Sequence, residues 1–209
     1  MLKPKVHESG RRIRNSLSRG EIIAGALAVL NEQGIEGLTV RQVAKRLHCS
    51  VSALYSHFKN SDEIYNAMIG DIERNLAREL RKVRLGFVNT IDQLLAVART
   101  YWAFALEYRE VHRLMYRKTR FLRIPPAYRV YLDTFRRGYR TGDLQYSRKE
   151  AQALARTMFA WLYGLIAMEL LGVAHISQHG ARQLEDGLRH FHHLLGAGDR
   201  FEAENSRES

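Results

Sequence analysis

The chain has 209 residues, 45% of them apolar, enough to bury a core as one larger domain or two small ones. Its 33 Lys and Arg against 22 Asp and Glu give a net charge of +11, which favours an anionic partner such as nucleic acid, an anionic membrane surface or an acidic ligand. A single cysteine, Cys49, excludes an internal disulfide and a cysteine-based metal cluster and gives no sign of an oxidising compartment.

The N-terminus predicts a basic disordered arm over residues 1–17. Lys3, Lys5, Arg11, Arg12, Arg14 and Arg19 stand against Glu8 alone within residues 1–20, a net of +5, and such a segment can lie along phosphates. It has no apolar core followed by a small-residue cleavage site. The first helix is expected to open at the box Ser18-Arg19-Gly20-Glu21, to bury Ile22, Ile23, Ala26, Leu27 and Leu30, and to end at Gly34. A second, capped within Thr39-Val40-Arg41-Gln42, buries Val40, Val43, Ala44 and Leu47 and stops near His48; a third follows at once with Ser50 as its cap.

Two short helices about four residues apart, the second led by small polar residues, make a helix-turn-helix over 39–58. Its second helix places Ala53 and Leu54 inward and leaves Val51, Ser52 and Ser56 for the major groove. Ser hydrogen-bonds several base edges and Val meets a thymine methyl, whereas no Arg or Asn is available there for bidentate readout. Tyr55, His57 and Lys59 follow at the helix end, where they can hold phosphates, and Thr39 and Arg41 can do likewise from the preceding helix. Packing for Tyr55, capping for His57 and plain solvation for Arg41 are the alternatives.

A long helix is expected from Ser61 or Asp62 to about Leu85, with Ile64, Met68, Ile72, Leu76 and Leu80 at four-residue steps. The C-terminal body then reads as helices near 90–108, 111–120, 125–140, 147–172 and 178–195, with Thr90 and Ser147 as caps, Pro125 and Pro126 as a start, and Gly142 and Gly172 as ends. The fold class is therefore all-α with about nine helices. Residues 18–63 form the DNA-binding domain, 64–196 the body, and the polar 197–209 a flexible tail. The greasiest stretch, Met158 to Val173, is interrupted by Glu169 and is too short to span a bilayer, so a soluble cytoplasmic chain with no membrane partner is expected.

Thr39-Val40-Arg41-Gln42-Val43-Ala44, Leu47-His48-Cys49-Ser50 and Leu54-Tyr55-Ser56-His57-Phe58 closely resemble the TetR family of bacterial repressors, over residues 18–68. The resemblance implies an all-helical homodimer on a palindromic operator, an effector pocket in the body, and DNA contacts at Thr39, Arg41, Ser50, Ser52, Tyr55, His57 and Lys59. It departs from the family in His48 for the turn glycine, Cys49 for a small aliphatic residue, and Ser61 for a lysine. Trp102 to Tyr108 with Leu114-Met115, and Trp161 to Leu170, look like the subgroup whose body bears a Trp-His-Gly signature, although Tyr163 replaces its histidine.

The body is rich in aromatic residues and methionine. Trp102, Phe104, Met115, Phe121, Phe135, Tyr139, Phe159 and Tyr163 are candidates to line a small-molecule effector pocket. The last two long helices, with Leu154, Met158, Leu162, Leu165 and Met168 on one and Leu184, Leu188, Phe191 and Leu195 on the other, are candidates for the homodimer interface. Residues 109–140 carry ten Arg or Lys against Glu110 and Asp133, either a solvated face or a seat for an acidic ligand. His175 and His179 have metal-ligand spacing but straddle a helix break without carboxylates, so no metal or other cofactor is expected. A Gly-rich phosphate loop, a nucleophile–base pair and a two-histidine metal helix are all missing, which argues against an enzyme. The alternative function is an architectural DNA binder without an effector.

Overall fold

Side-chain oxygens mark where the helices begin. In the computed structural model, which describes residues 17–118, 125–173 and 179–196, the Ser18 hydroxyl accepts the Glu21 N–H at 3.2 Å and the Glu21 carboxylate accepts the Ser18 N–H at 2.8 Å, opening α1 (Arg19–Gly37). Gly34, at φ 68°, interrupts it where the sequence expects its end. Thr39 caps α2 (Val40–Arg46) and Ser50 caps α3 (Val51–Tyr55), accepting the Gln42 and Ala53 amides at 3.2 and 3.1 Å. Asn60 receives the Glu63 N–H at 2.9 Å and so opens α4 (Ser61–Arg84).

The cap of α5 (Thr90–Glu107) is Asn89, 2.7 Å from the Asp92 N–H, rather than Thr90. A cap residue must be extended, as Asn89 is; the Thr90 hydroxyl instead donates to Asp143 at 2.8 Å. Tyr108 alone separates α5 from α6 (Arg109–Lys118). A proline pair starts α7 (Pro126–Thr141), and Gly142 ends it in the left-handed region. The box Ser147/Glu150 starts α8 (Arg148–Leu171), left-handed Gly172 ends it, and α9 (Gly180–Gly196) follows. Among the described residues there are nine helices and no strand. The N-terminal arm up to residue 16, Phe121 and the tail from residue 197 lie outside them.

The chain divides into two compact units, Met1–Met68 and Ile69–Ser209, the division falling inside α4. In the first, Ile22, Ala26, Val29 and Leu30 of α1 close on Val43 and Ala44 of α2, Leu54 of α3, Phe58, and Ile64 and Met68 of α4, none more than 3% exposed. Full burial of each larger side chain contributes about 1.5–3 kcal/mol, so this small unit is held chiefly by that cluster. In the second, Leu76 and Leu80 join Leu94, Val97 and Tyr101 of α5, Val130, Tyr131 and Phe135 of α7, Met158, Leu162 and Ile166 of α8, and Leu184 and Leu188 of α9.

Trp161 of α8 lies so close to Gly187 of α9 that no Cβ fits there, and its ring is 5.1 Å from that of Phe191. The 24-residue α8 is, among the described residues, the one helix long and apolar enough to cross a membrane by length and composition. The helix is longer than its apolar stretch from Met158 because the Ser147 cap starts it well before that residue. Its Ala151, Ala155, Met158, Leu162, Leu165, Ile166 and Leu170 are packed in the core. Met168 and Leu171 remain 42% and 64% exposed. Between α4 and α5, Leu85, Phe87 and Val88 are exposed by 72%, 42% and 96%. Their loop is nevertheless tied down: buried Gln93 donates its amide to the Phe87 and Val88 carbonyls at 2.9 and 3.4 Å.

Candidate DNA-binding surface

The turn between α2 and α3 is set by its backbone hydrogen bonds. The His48 N–H donates to the Lys45 carbonyl at 3.2 Å and the Cys49 N–H to the Ala44 carbonyl at 3.0 Å, the paired bonds of a Schellman ending in which the residue in the His48 position is left-handed. His48 adopts φ 51° there, the only non-glycine with positive φ among the described residues. The glycine substitution therefore leaves the turn geometry intact and takes the strain of a Cβ, about 1–2 kcal/mol. Cys49, half-buried, has its thiol pKa pushed up by that burial, which favours the unreactive protonated form.

From this turn α3 presents its outer side. Leu54 is wholly buried and Ala53 and Val51 are half-buried, while Ser52, Tyr55 and Ser56 are exposed, together with Thr39, Arg41, Ser50 and Lys59. His57 is half-buried. The Ser50 hydroxyl accepts the Ala53 amide and keeps its proton to donate. The Ser56 hydroxyl donates back to the Ala53 carbonyl at 2.8 Å, so toward solvent it can only accept. The predicted contact residues thus gather on and around α3, with His57 the most sheltered.

Two residues outside that set fasten its far edge. Arg19 donates to the His57 carbonyl, pairs with Glu63 at 3.1 Å and stacks its guanidinium 3.9 Å from the centre of the Phe58 ring. The second Glu63 oxygen accepts the Lys59 N–H at 2.7 Å. The Lys59 amide first, and Arg19 second, hold the Glu63 carboxyl below the usual carboxylate range, so it is ionised at neutral pH. Arg19 reads in the sequence only as one more charge of the arm; the available signal for the other end of the clamp is the spacing Asn60-x-x-Glu63.

The sequence profile described as "Bacterial regulatory proteins, tetR family" matches residues 22–68. The chain carries a TetR-family DNA-binding domain. The tetracycline repressor protein class C of Escherichia coli is 46% identical over 54 residues, 26% of this chain and 25% of that protein. The chain thus matches about a quarter of the length of such curated relatives. Over the longer span the likeness is one of fold. A possible TetR family transcriptional regulator from Streptomyces coelicolor A3(2) superposes with a TM-score of 0.67 at 17% identity, over 86% of this chain and 99% of that one. A single-substitution variant of TetR from Acinetobacter baumannii AYE, solved in complex with minocycline, superposes at 0.64 and 23% identity, over 88% and 98%.

Beyond the TetR-family head, the candidate pocket residues of the body separate into different surroundings. Phe159 of α8 is ringed by Tyr101, Tyr128, Tyr131 and Tyr163 at 6.0, 5.3, 5.8 and 5.9 Å between centroids. Phe104 stacks on Tyr108 at 4.5 Å, Trp102 packs against Gly180 at the start of α9, and Phe135 is completely buried. Tyr139 does not line the interior. It follows Gly138 of the inward stripe by about 100° of helix and is 42% exposed.

Met115 lines a niche of about 10 Å³ with Ile72, Leu76, Tyr101, His112 and Ala127, room for about one water molecule. His112, absent from the sequence-level candidates, is 2% exposed, and its Nδ1 lies 3.2 Å from the Tyr108 carbonyl. Burial pushes its pKa down against that hydrogen bond, so the ring is neutral and donates from Nδ1 at neutral pH. The Tyr131 hydroxyl is fully buried without a hydrogen-bond partner among the described residues, and burial drives its pKa well up.

Proposed function

We propose that this protein is a sequence-specific DNA-binding transcriptional regulator of the cytoplasm, a repressor that occupies a palindromic operator as a homodimer and leaves it when a small molecule binds the helical body. The observation that carries this reading is the exposed array of Thr39, Arg41, Ser50, Ser52, Tyr55 and Lys59 around α3, within the segment that matches the TetR-family profile. Val51 and Ser52 face the bases in this reading, and the others, with His57, hold phosphates. Two heads are needed because the half-sites of a palindrome lie one helical turn, about 34–36 Å, apart.

The exposed Met168 and Leu171 of α8 and the 59% exposed Leu194 of α9 support an interface formed by these two helices. Minocycline bound to the Acinetobacter protein of similar fold supports a small-molecule site in the body, built around Phe159, Tyr163, Phe104 and Met115. The Trp161-Leu162-Tyr163-Gly164 run supports membership of the Trp-His-Gly subgroup. The competing reading is an architectural DNA binder without an effector; the niche of about 10 Å³ beside Met115 would by itself hold a water molecule and no effector.

Footprinting on the DNA upstream of the protein's own gene and its neighbours tests the proposal. A protected palindrome with two half-sites is expected, and protection should be lost with some member of a small-molecule panel. Absence of any protected palindrome refutes the regulator reading; protection that no compound relieves selects the architectural one.

A further inference from the structure

Along α4, Arg74, Arg78 and Arg81 recur at steps of four and three residues, which places them on one side of the helix over about 10 Å. They do not project from a convex surface, as a merely solvated arginine face would. With Asp71, Ala77 and Pro126 of α7 they line a groove of about 260 Å³. Donors outnumber acceptors there. Arg74 pairs with Asp71 at 3.2 Å and Arg78 reaches Asn75, but Arg81 has no partner among the described residues. One turn further along the same helix, Arg84 approaches the Thr134 hydroxyl of α7 at 3.4 Å while its Nε is buried without an acceptor among the described residues.

We propose that this groove between α4 and α7 is a binding site for a small, multiply charged phosphate compound of the nucleoside diphosphate class. Guanidinium groups bind phosphate oxygens with paired, charge-assisted hydrogen bonds, and three of them lining one groove suit a multiply charged phosphate compound better than a single carboxylate. The volume suits a diphosphate with part of its nucleoside and is too small for a folded protein segment. The site belongs to the second unit, and its occupation does not depend on the regulator reading.

Calorimetric titration of the full chain with ADP and with inorganic pyrophosphate tests the assignment. Single-site binding that weakens with added salt is expected, with affinity reduced about 10-fold or more in R78A/R81A. Because Arg81 is exposed and has no partner among the described residues, R81Q serves as a milder second variant and should lose affinity in the same direction. The double variant should retain its affinity for DNA. No heat at millimolar probe, or binding undiminished in both variants, overturns the proposal; a loss of DNA affinity in R78A/R81A without probe binding to the parent chain reassigns the groove to nucleic acid.

Discussion

His48 carries a conformational cost that its neighbours explain. The two amide bonds that close the turn require a left-handed residue, and glycine would meet that requirement without a Cβ. His48→Gly is therefore expected to stabilise the head by about 1 kcal/mol, raising its melting temperature by a few degrees in calorimetry while leaving DNA affinity intact. An unchanged or lower melting point would mean that the added freedom of glycine in the unfolded chain outweighs the relief. A second residue links stability to pH. The imidazole of His112 is buried and titrates below the ordinary value near 6.5. Between the two values the unfolded chain binds more protons, so this contribution is complete above about pH 6.5 and drains away as the pH falls toward the folded value. Melting temperature should fall from pH 7 toward about pH 5, and His112→Phe should flatten that decline; an unaltered decline would place the acid sensitivity elsewhere. Sequence reasoning finds Ser18, Thr39, Ser50 and Ser147 as caps because each precedes an amphipathic run at the proper spacing. It takes Thr90 for the cap of α5 in place of Asn89 because both are polar, and only backbone dihedrals separate a cap from the first helical residue.

At the level of elements, the end of α3 is held through a carbonyl, a ring and an amide at once. Arg19 touches the His57 carbonyl and the Phe58 face, and Glu63 joins Arg19 to the Lys59 amide. Lysine cannot reproduce this, having neither the planar face nor the forked donors. Arg19→Lys and Glu63→Gln are each expected to weaken DNA binding several-fold with circular dichroism unchanged, and to affect all sequences alike because the bases are not touched. Selective loss at one base position would contradict a role confined to positioning. None of this is legible from periodicity: Arg19 and Glu63 are 44 positions apart and both read as solvent-facing. By contrast the order and approximate extent of the helices follow from apolar spacing, proline and glycine. The outward turn of Tyr139 is lost in composition, since an aromatic residue next to the buried stripe looks the same as one within it.

For the molecule as a whole, the two units differ in how far their chemistry can be read. In the head, motif and spacing point to a surface that the fold then assembles. In the body, aromatic content predicts a pocket, yet Phe135 is core and Tyr139 faces out, while Met115 borders a small niche. Residue type does not distinguish a side chain that fills space from one that surrounds it. Since α3 offers no arginine or asparagine to the bases, phosphate contacts should dominate affinity, and the N-terminal arm should supply several of them. Removing residues 1–16, with five Lys and Arg, should weaken DNA binding and reduce the slope of log affinity against log salt by as much as about 4. An unchanged slope would show that the arm stays off the DNA.

The clamped loop after α4 has a practical consequence. Val88 stands 96% exposed on a backbone that Gln93 keeps in place, whereas the native thiol of Cys49 is sheltered and its pKa raised. Val88→Cys would supply a thiol that reacts with maleimide dyes well ahead of the natural one near neutral pH, giving a single, firmly based attachment point for fluorescence without first removing Cys49.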